Sequence, residues 1–270
     1  MLAEHCRRFA VEQGRSTCFY DRREFLQVAL QKLVDDAHLK VLEISPWDNP
    51  LLRGDNVKYF GMEDSESLRK SAVEANRPFH HVPEKIHFIS PTANLDIVDE
   101  TFDIVTSSHV IEHAPDLVGH LQSVSRLLNK GGVYVLIIPD KRYCFDYYRS
   151  ESTITDVIDA FAAQRKNPRF ADVMDFTCTH NYAILHWFGE HGKNQQETNR
   201  EKLLQQAEKY SEAVKNDEYI NAHNWRFTPD SFGYIIDLLN KLTLIDLPLF
   251  RLCHTIWGRQ EFIAMLEKTS

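Results

Sequence analysis

Three clusters of polar side chains stand out in this sequence because their types and spacing suit proton transfer and anion binding. The first is Ser108-His-Val-Ile-Glu-His113, where Glu112 lies between two imidazoles. The second, Asp140-Lys-Arg-Tyr143, sets a carboxylate beside two cations and a phenol. The third gathers His180, Asn181, His186, Trp187, Glu190 and His191 in one polar stretch. A histidine that titrates near neutral pH suits removal of a proton from a hydroxyl. Asp140 suits positioning an acceptor hydroxyl or serving as base, and Lys141 and Arg142 suit a phosphate or carboxylate. The spacings in the third cluster match no established zinc pattern, so no metal is assigned to it. In the first cluster Glu112 and His113 read either as caps of a following helix or, with Ser108 and His109, as the lining of a ligand site.

The elements around these clusters alternate. Lys40–Ile44, Val57–Phe60, Ile86–Ile89, Phe102–Ser107 and Val133–Ile138 read as short buried strands, each pair separated by enough chain for a crossover. Helices are expected over 21–37, 65–75 and about 114–128, the last with Pro115 in its first turn and Gly131 past its end. In the first of these, Phe25, Val28, Ala29, Leu33 and Val34 fall at helical spacing. Such a run folds as a parallel sheet with helices on both faces, and ligands bind outside the carboxyl ends of its strands. Residues 151–215 break the alternation: they are polar, helix-favouring and poor in strand formers. Thr228-Pro229 is a capping pair that opens a helix to about Asn240. Leu242–Phe250 and Gln260–Leu266 then suit a closing antiparallel hairpin.

Composition narrows the function classes. The chain has 270 residues, 43% hydrophobic and 26% charged, ordinary for a soluble globular protein. A formal charge of −8 argues against nucleic acid as the main partner, because a phosphate backbone wants a basic face. No apolar run approaches a membrane span, and the first residues lack the features of a secretory signal. The five cysteines are scattered, which fits reduced thiols better than a disulfide framework. A cytoplasmic protein acting on a small molecule is the expectation.

The order of these motifs resembles class I S-adenosylmethionine (SAM)-dependent methyltransferases of the type 11 kind. More narrowly it is similar to a subgroup associated with bacterial polysaccharide and lipopolysaccharide biosynthesis. The residues that carry the likeness are Leu42-Glu-Ile-Ser-Pro46, Ser108-His-Val-Ile-Glu-His113 and Pro139-Asp-Lys-Arg-Tyr-Cys-Phe-Asp146, with a weaker echo at His223-Asn-Trp-Arg-Phe-Thr-Pro-Asp-Ser-Phe232. The resemblance implies a Rossmann-like methyltransferase sheet with a helical insertion. It divides the chain into an N-terminal helical segment (1–38), a core (39–150), a helical insertion over the acceptor (151–222) and a C-terminal helix with closing strands (223–270).

It further implies SAM as cofactor, held by Glu43, Ser45, Pro46, Glu63, Ser108 and His109. A sugar or glycan-precursor hydroxyl would be methylated, with Asp140, His180, His186 or His191 as base. Lys141, Arg142, Tyr143, Asn181, Trp187, His223 and Arg226 would bind the acceptor; Trp187, Trp225, Tyr147 and Tyr148 offer faces for a sugar, although burial in the core is the more usual outcome for such aromatics. The sequence departs from the family pattern in three places. Ser45 replaces a glycine, Gly61 stands where the ribose-binding acid belongs, and Ser90-Pro91-Thr92 carries no acid for adenine. A methyltransferase-like protein that has lost SAM and serves as a binding or scaffolding protein is the alternative.

Overall fold

The computed structural model describes residues 22–179, 200–216 and 218–270. Its centre is a seven-stranded sheet of order β3-β2-β1-β4-β5-β7-β6. The strands are β1 (Val41–Ile44), β2 (Val57–Gly61), β3 (Phe88–Ile89), β4 (Phe102–Ser108), β5 (Leu128–Pro139), β6 (Leu249–Cys253) and β7 (Glu261–Glu267). The first five are parallel, and β7 runs antiparallel between β5 and β6. The sheet is therefore the expected Rossmann-like α/β architecture, closed by an antiparallel hairpin whose second strand matches the expected Gln260–Leu266 but whose first strand lies at Leu249–Cys253, later than the expected Leu242–Phe250. Strand β3 is shorter than its apolar run, and β5 begins well before Val133. At the start of β5, Gly131 has φ +75, and a Cβ on Gly132 would stand 2.8 Å from the Asn129 carbonyl oxygen. Only glycine allows that close turn.

Alternation along each strand divides the core in two. On one face Val41, Val57, Ile104, Val133, Val135 and Ile137 pack with Leu30 and Val34 of α1 (Arg22–Ala37). Val28, expected on that stripe, is 69% exposed, whereas Val34 is buried as expected and Leu30, not among the expected positions, is buried with it. Leu68 of α2 (Ser65–Glu74) joins the same face. On the other face Leu42, Phe60, Val105, Tyr134, Leu136 and Ile138 meet α3 (Leu117–Leu127), α4 (Ile154–Ala162) and α7 (Pro229–Lys241). In this way both sheet faces are covered, as a parallel sheet requires.

The start of α3 differs from its expected position. Residues Ile111–His113 form a separate 3-10 turn, and the α3 cap is Asp116, whose carboxylate accepts from the Gly119 N–H. Pro115 precedes that cap, and neither Glu112 nor His113 caps the helix. The C-terminal helix α7 opens as expected, with Thr228 and Ser231 in a reciprocal capping box.

The segment after β5 is helical, but its first helix is not a cap. Val157 and Ala160 of α4 lie in the main core beside α3. Helices α5 (Phe170–Thr179) and α6 (Arg200–Asn216) instead share a small cluster of Val173, Ile220 and Ala222, flanked by Tyr210 and Ala213. Among the described residues no helix is long and apolar enough to cross a membrane.

Candidate functional site

The strand order reverses between β1 and β4: β2 and β3 continue on one side, β5 on the other. Such a switch point leaves a crevice outside the carboxyl strand ends. Ile44 pairs with Ser107, so Ser45 and Ser108-His109 emerge there side by side. Ser45, Trp47 and His109 all have left-handed backbones, with φ of 54, 41 and 55. That conformation costs a non-glycine residue about 1 kcal/mol. Backbone hydrogen bonds hold the two turns, from Ser45 N to the Phe60 carbonyl (2.8 Å) and from His109 N to the Ile137 carbonyl (2.9 Å). The turn that a glycine would make is thus made by Ser45.

Glu43 is buried and does not point into the crevice. Its Oε1 accepts from Leu51 N (2.6 Å) and its Oε2 from Leu52 N (3.1 Å), tying the loop after β1 back onto the strand. Tyr59 donates to the Leu52 carbonyl at 2.7 Å. Burial first, and the Glu43 charge second, push its phenol up to about 12. Glu43 is therefore a positioning residue for the Ser45–Leu52 loop.

A nucleoside cofactor at this crevice would find a partial set of contacts. At the end of β2, Gly61 is closely packed: a Cβ there would lie 3.3 Å from Ile86 Cγ2 and 3.4 Å from the Glu63 carbonyl oxygen. Asp64 is committed to capping α2 through Ser67 N (2.8 Å), which leaves Glu63, exposed, as the carboxylate for a ribose. After β3 the Ser90 hydroxyl accepts from Asn94 N at 3.0 Å. That turn offers hydroxyls and backbone but no acid. The left-handed turn at Ser45, the exposed Glu63 and the switch-point crevice together fit SAM. The position after β3 does not reproduce the usual adenine contact.

Asp140 is not poised as a base. Its side chain is fully buried, and Oδ1 accepts from Arg142 N (3.0 Å) and Nε (2.9 Å). Oδ2 accepts from Arg142 Nη2 and the Thr255 hydroxyl, both at 2.7 Å. Four donors occupy its two oxygens, so the carboxylate presents no open face to an acceptor hydroxyl. Lys141 donates to the Tyr147 carbonyl at 3.2 Å, and the Arg142 guanidinium lies 5.2 Å from the Tyr143 ring. The Asp140–Tyr143 run is thus largely bound to itself, with Arg142 (41% exposed) reaching solvent beyond its carboxylate pair.

His223 and Arg226, expected at the acceptor, are buried. Arg226 donates to Asp172 Oδ1 (3.1 Å) and to the carbonyls of Asn224 (2.8 Å) and Ser150 (3.1 Å), so it braces α5 against the strand ends. Trp225 is a core residue, 2% exposed, and its indole N–H donates to the Ala114 carbonyl at 2.6 Å. None of the three faces a sugar. Tyr147 and Tyr148 pack edge to face with centroids 5.0 Å apart. His180, Asn181, His186, Trp187 and His191 lie outside the described residues.

The structure gathers a group that sequence spacing did not reveal. Glu112, His113 and His223 meet beneath the end of β4, each with a potential ligand atom within 4.8 Å of the others. His223 Nδ1 lies 2.5 Å from Asp146 Oδ2, and Asp146 Oδ1 accepts from Arg149 Nη1 at 2.7 Å. Burial would raise the Asp146 carboxyl, but the His223 hydrogen bond and the Arg149 charge outweigh it and hold the group at about 2. Burial pushes Glu112 up. For His113, burial and then the neighbouring His223 and His109 bring the imidazole down to about 3. His109 itself is partly exposed, with Nε2 2.9 Å from Glu261 Oε2. A carboxylate partner of this kind holds an imidazole in one orientation.

Residues 49–136 match the family described as a methyltransferase domain. That span includes β2, β3, β4 and most of β5, and so both sides of the switch point apart from β1. No curated protein matches the sequence. Similar solved structures include an S-adenosylmethionine-dependent methyltransferase from Clostridium acetobutylicum, 9% identical, covering 96% of this chain and 94% of that one at a TM-score of 0.45. Another is the CcbJ methyltransferase from Streptomyces caelestis, 12% identical over 92% of this chain and 89% of that one, TM-score 0.43. A magnesium protoporphyrin IX methyltransferase from Synechocystis with bound S-adenosylhomocysteine (SAH) is 9% identical over 98% of this chain and 94% of that one, TM-score 0.41.

Proposed function

We propose that the protein is a SAM-dependent methyltransferase that methylates a hydroxyl of a sugar or glycan precursor. The observation that carries the methyltransferase reading is the left-handed turn at Ser45, placed across the switch point from His109 within a sheet whose residues 49–136 match a methyltransferase domain. The acceptor class rests on the likeness of Leu42–Pro46, Ser108–His113 and Pro139–Asp146 to glycan-associated methyltransferases.

When bound, SAM supplies an electrophilic methyl group on a sulfonium sulfur. In this reading Glu43 keeps the Ser45–Leu52 loop in place, Glu63 takes the ribose hydroxyls, and the backbone of Ser45 and Ser108 lines the methionine end. The acceptor oxygen would take that methyl from the sulfur and give up its proton, leaving SAH. The departing hydroxyl proton needs a base. His109, held by Glu261, is an imidazole already at the crevice, and His180, His186 and His191 are the further candidates. Asp140 sets the position of Arg142, which is suited to an anionic group on the acceptor. Most of the rate comes from aligning hydroxyl and methyl.

Calorimetry with SAM and SAH on the wild type and on Glu43→Gln tests this. Micromolar binding that weakens in the variant is expected. No binding at millimolar SAM would overturn the reading. It would favour a methyltransferase-like binding protein, which the serine at position 45 and the sequestered Asp140 carboxylate would also suit.

A further inference from the structure

We propose that Glu112, His113 and His223 form a binding site for a divalent transition-metal ion. Glu112 is fully buried, and neither of its carboxylate oxygens has a hydrogen-bond partner among the described residues. His113 Nδ1 is buried too and makes no well-aligned hydrogen bond, with the Ala222 backbone close enough to favour a proton on the ring, and Nε2 is the nitrogen that faces Glu112. A buried carboxylate without a partner is strongly destabilising, and natural proteins rarely keep one without a use.

The surrounding geometry fits an ion better than a hydrogen-bond network. Glu112 Oε1 stands 3.7 Å from His109 Nδ1 and 3.9 Å from His113 Nε2. These gaps are too long for hydrogen bonds. They approach the separation of about 3–3.5 Å between donors that each lie about 2.0–2.2 Å from one ion. The His113 and His223 rings meet edge to face with centroids 4.6 Å apart.

His223 is prepared as a ligand. Its Nδ1 is bound to Asp146, which leaves Nε2 as the ring nitrogen for an ion, and Asp146 is itself anchored by Arg149. A carboxylate behind a histidine is the usual outer support of a metal ligand. Backbone bonds fix the two halves of the site together. The Glu112 carbonyl accepts from Asn224 N (2.7 Å) and Trp225 N (3.1 Å), and Asn224 Nδ2 donates to the His113 carbonyl (2.8 Å). Two imidazoles and one carboxylate select zinc, manganese, iron(II) or cobalt over calcium or magnesium. Three protein donors leave a further position for water or an acceptor oxygen. His113 is 22% exposed, giving the site an edge toward solvent. This inference does not depend on SAM binding.

The test uses the full chain, stripped with a chelator and titrated with zinc, manganese and cobalt(II) by calorimetry, with cobalt absorption as a second readout. Binding near one equivalent is expected, together with a higher melting temperature in the loaded protein. Glu112→Gln and His113→Gln should each weaken binding by about tenfold or more. Replacing His180, His186 and His191 together with Gln should leave it unchanged. Without metal, Glu112→Gln should melt at or above the wild-type temperature, because it removes a buried charge. With metal the order should reverse. Absence of binding to the folded wild type would overturn the proposal. So would binding that survives both single variants and vanishes in the triple one. If Glu112→Gln does not fold, His113→Gln and the cobalt spectrum of the wild type decide.

Discussion

Asp146→Asn is the most informative test of how the candidate site is supported. Asp146 is 1% exposed and receives hydrogen bonds from Arg149 Nη1 and His223 Nδ1. Its carboxyl is held at about 2 against an ordinary 3.8, so ionisation in place is worth roughly 2 kcal/mol. Asparagine resembles the protonated acid and forfeits that amount. It also turns an amide donor toward either Arg149 or His223, leaving a buried donor unmatched at a further cost of about 1–3 kcal/mol. The total, about 3–5 kcal/mol, is what breaking a buried ion pair from one side usually costs.

Urea unfolding at pH 7 in the presence of a chelator measures this without a contribution from metal. The folded pKa is depressed, so the stabilisation is complete above about pH 4 and is lost as pH falls through about 2. The gap between wild type and variant should therefore narrow only below about pH 4. A loss under about 1 kcal/mol at pH 7, or a gap already closing at pH 6, would refute the account. Adding His223→Gln to Asp146→Asn completes a double-mutant cycle. A coupling of about 1 kcal/mol or more is expected, since the two side chains touch.

Other expectations concern stability and cofactor binding. Burial lowers His120 to about 4, so the unfolded chain takes up a proton first as pH falls below about 6.5. Its stabilisation should be complete above that pH and decline by about 2 kcal/mol on reaching pH 5, with His113 adding in the same direction. A melting temperature flat from pH 7.5 to pH 5 would contradict this. Trp225→Ala should cost about 3–5 kcal/mol in urea unfolding as a core truncation. If Trp225 stacked on a sugar instead, the loss would show in acceptor KM with stability intact. Ser45→Gly should keep or tighten SAH binding by calorimetry, because glycine takes φ 54 without strain. Glu43→Gln should loosen it by about tenfold, through the loss of charge-assisted bonds to Leu51 and Leu52. An unchanged affinity would remove Glu43 from the positioning role.

The sheet was legible in the sequence because each strand is a short apolar run bounded by polar turns, a pattern that survives without tertiary information. Val133 to Ile138 shows this, since every residue of it is buried on one face or the other. The capping pair Thr228-Pro229 was legible for the same local reason. The start of α3 was not. Pro115 suits a first helical position, but Asp116 just after it offers a side-chain acceptor to Gly119 N, and this moves the boundary. Residue type alone also left the roles of Asp140, Trp225 and Arg226 open. Each could serve a ligand or the fold, and the choice depends on partners distant in sequence: Thr255 for Asp140, Ala114 for Trp225, Asp172 for Arg226.

The same physics explains why the Glu112–His113–His223 group escaped notice. His223 lies more than a hundred positions from the adjacent Glu112 and His113, and nothing local to it marks it as their partner. What joins them is backbone pairing between residues 112–113 and 224–225, which exists only once β4 and the approach to α7 are in place. One local signal was present, in that Asp146 ends the same run that Asp140 begins; the reason for its burial beside Arg149 was not. Tertiary hydrogen bonding supplies it. Asp146 fixes His223, His223 faces Glu112, and Arg149 reaches the carbonyls of Asp172 and His223. The carboxyl end of β4 and the helix α5 of the insertion are thereby held by one buried polar chain. A perturbation at Asp146 should consequently be felt at both the crevice and the insertion, whereas one at Asp140 should stay with Arg142 and Thr255.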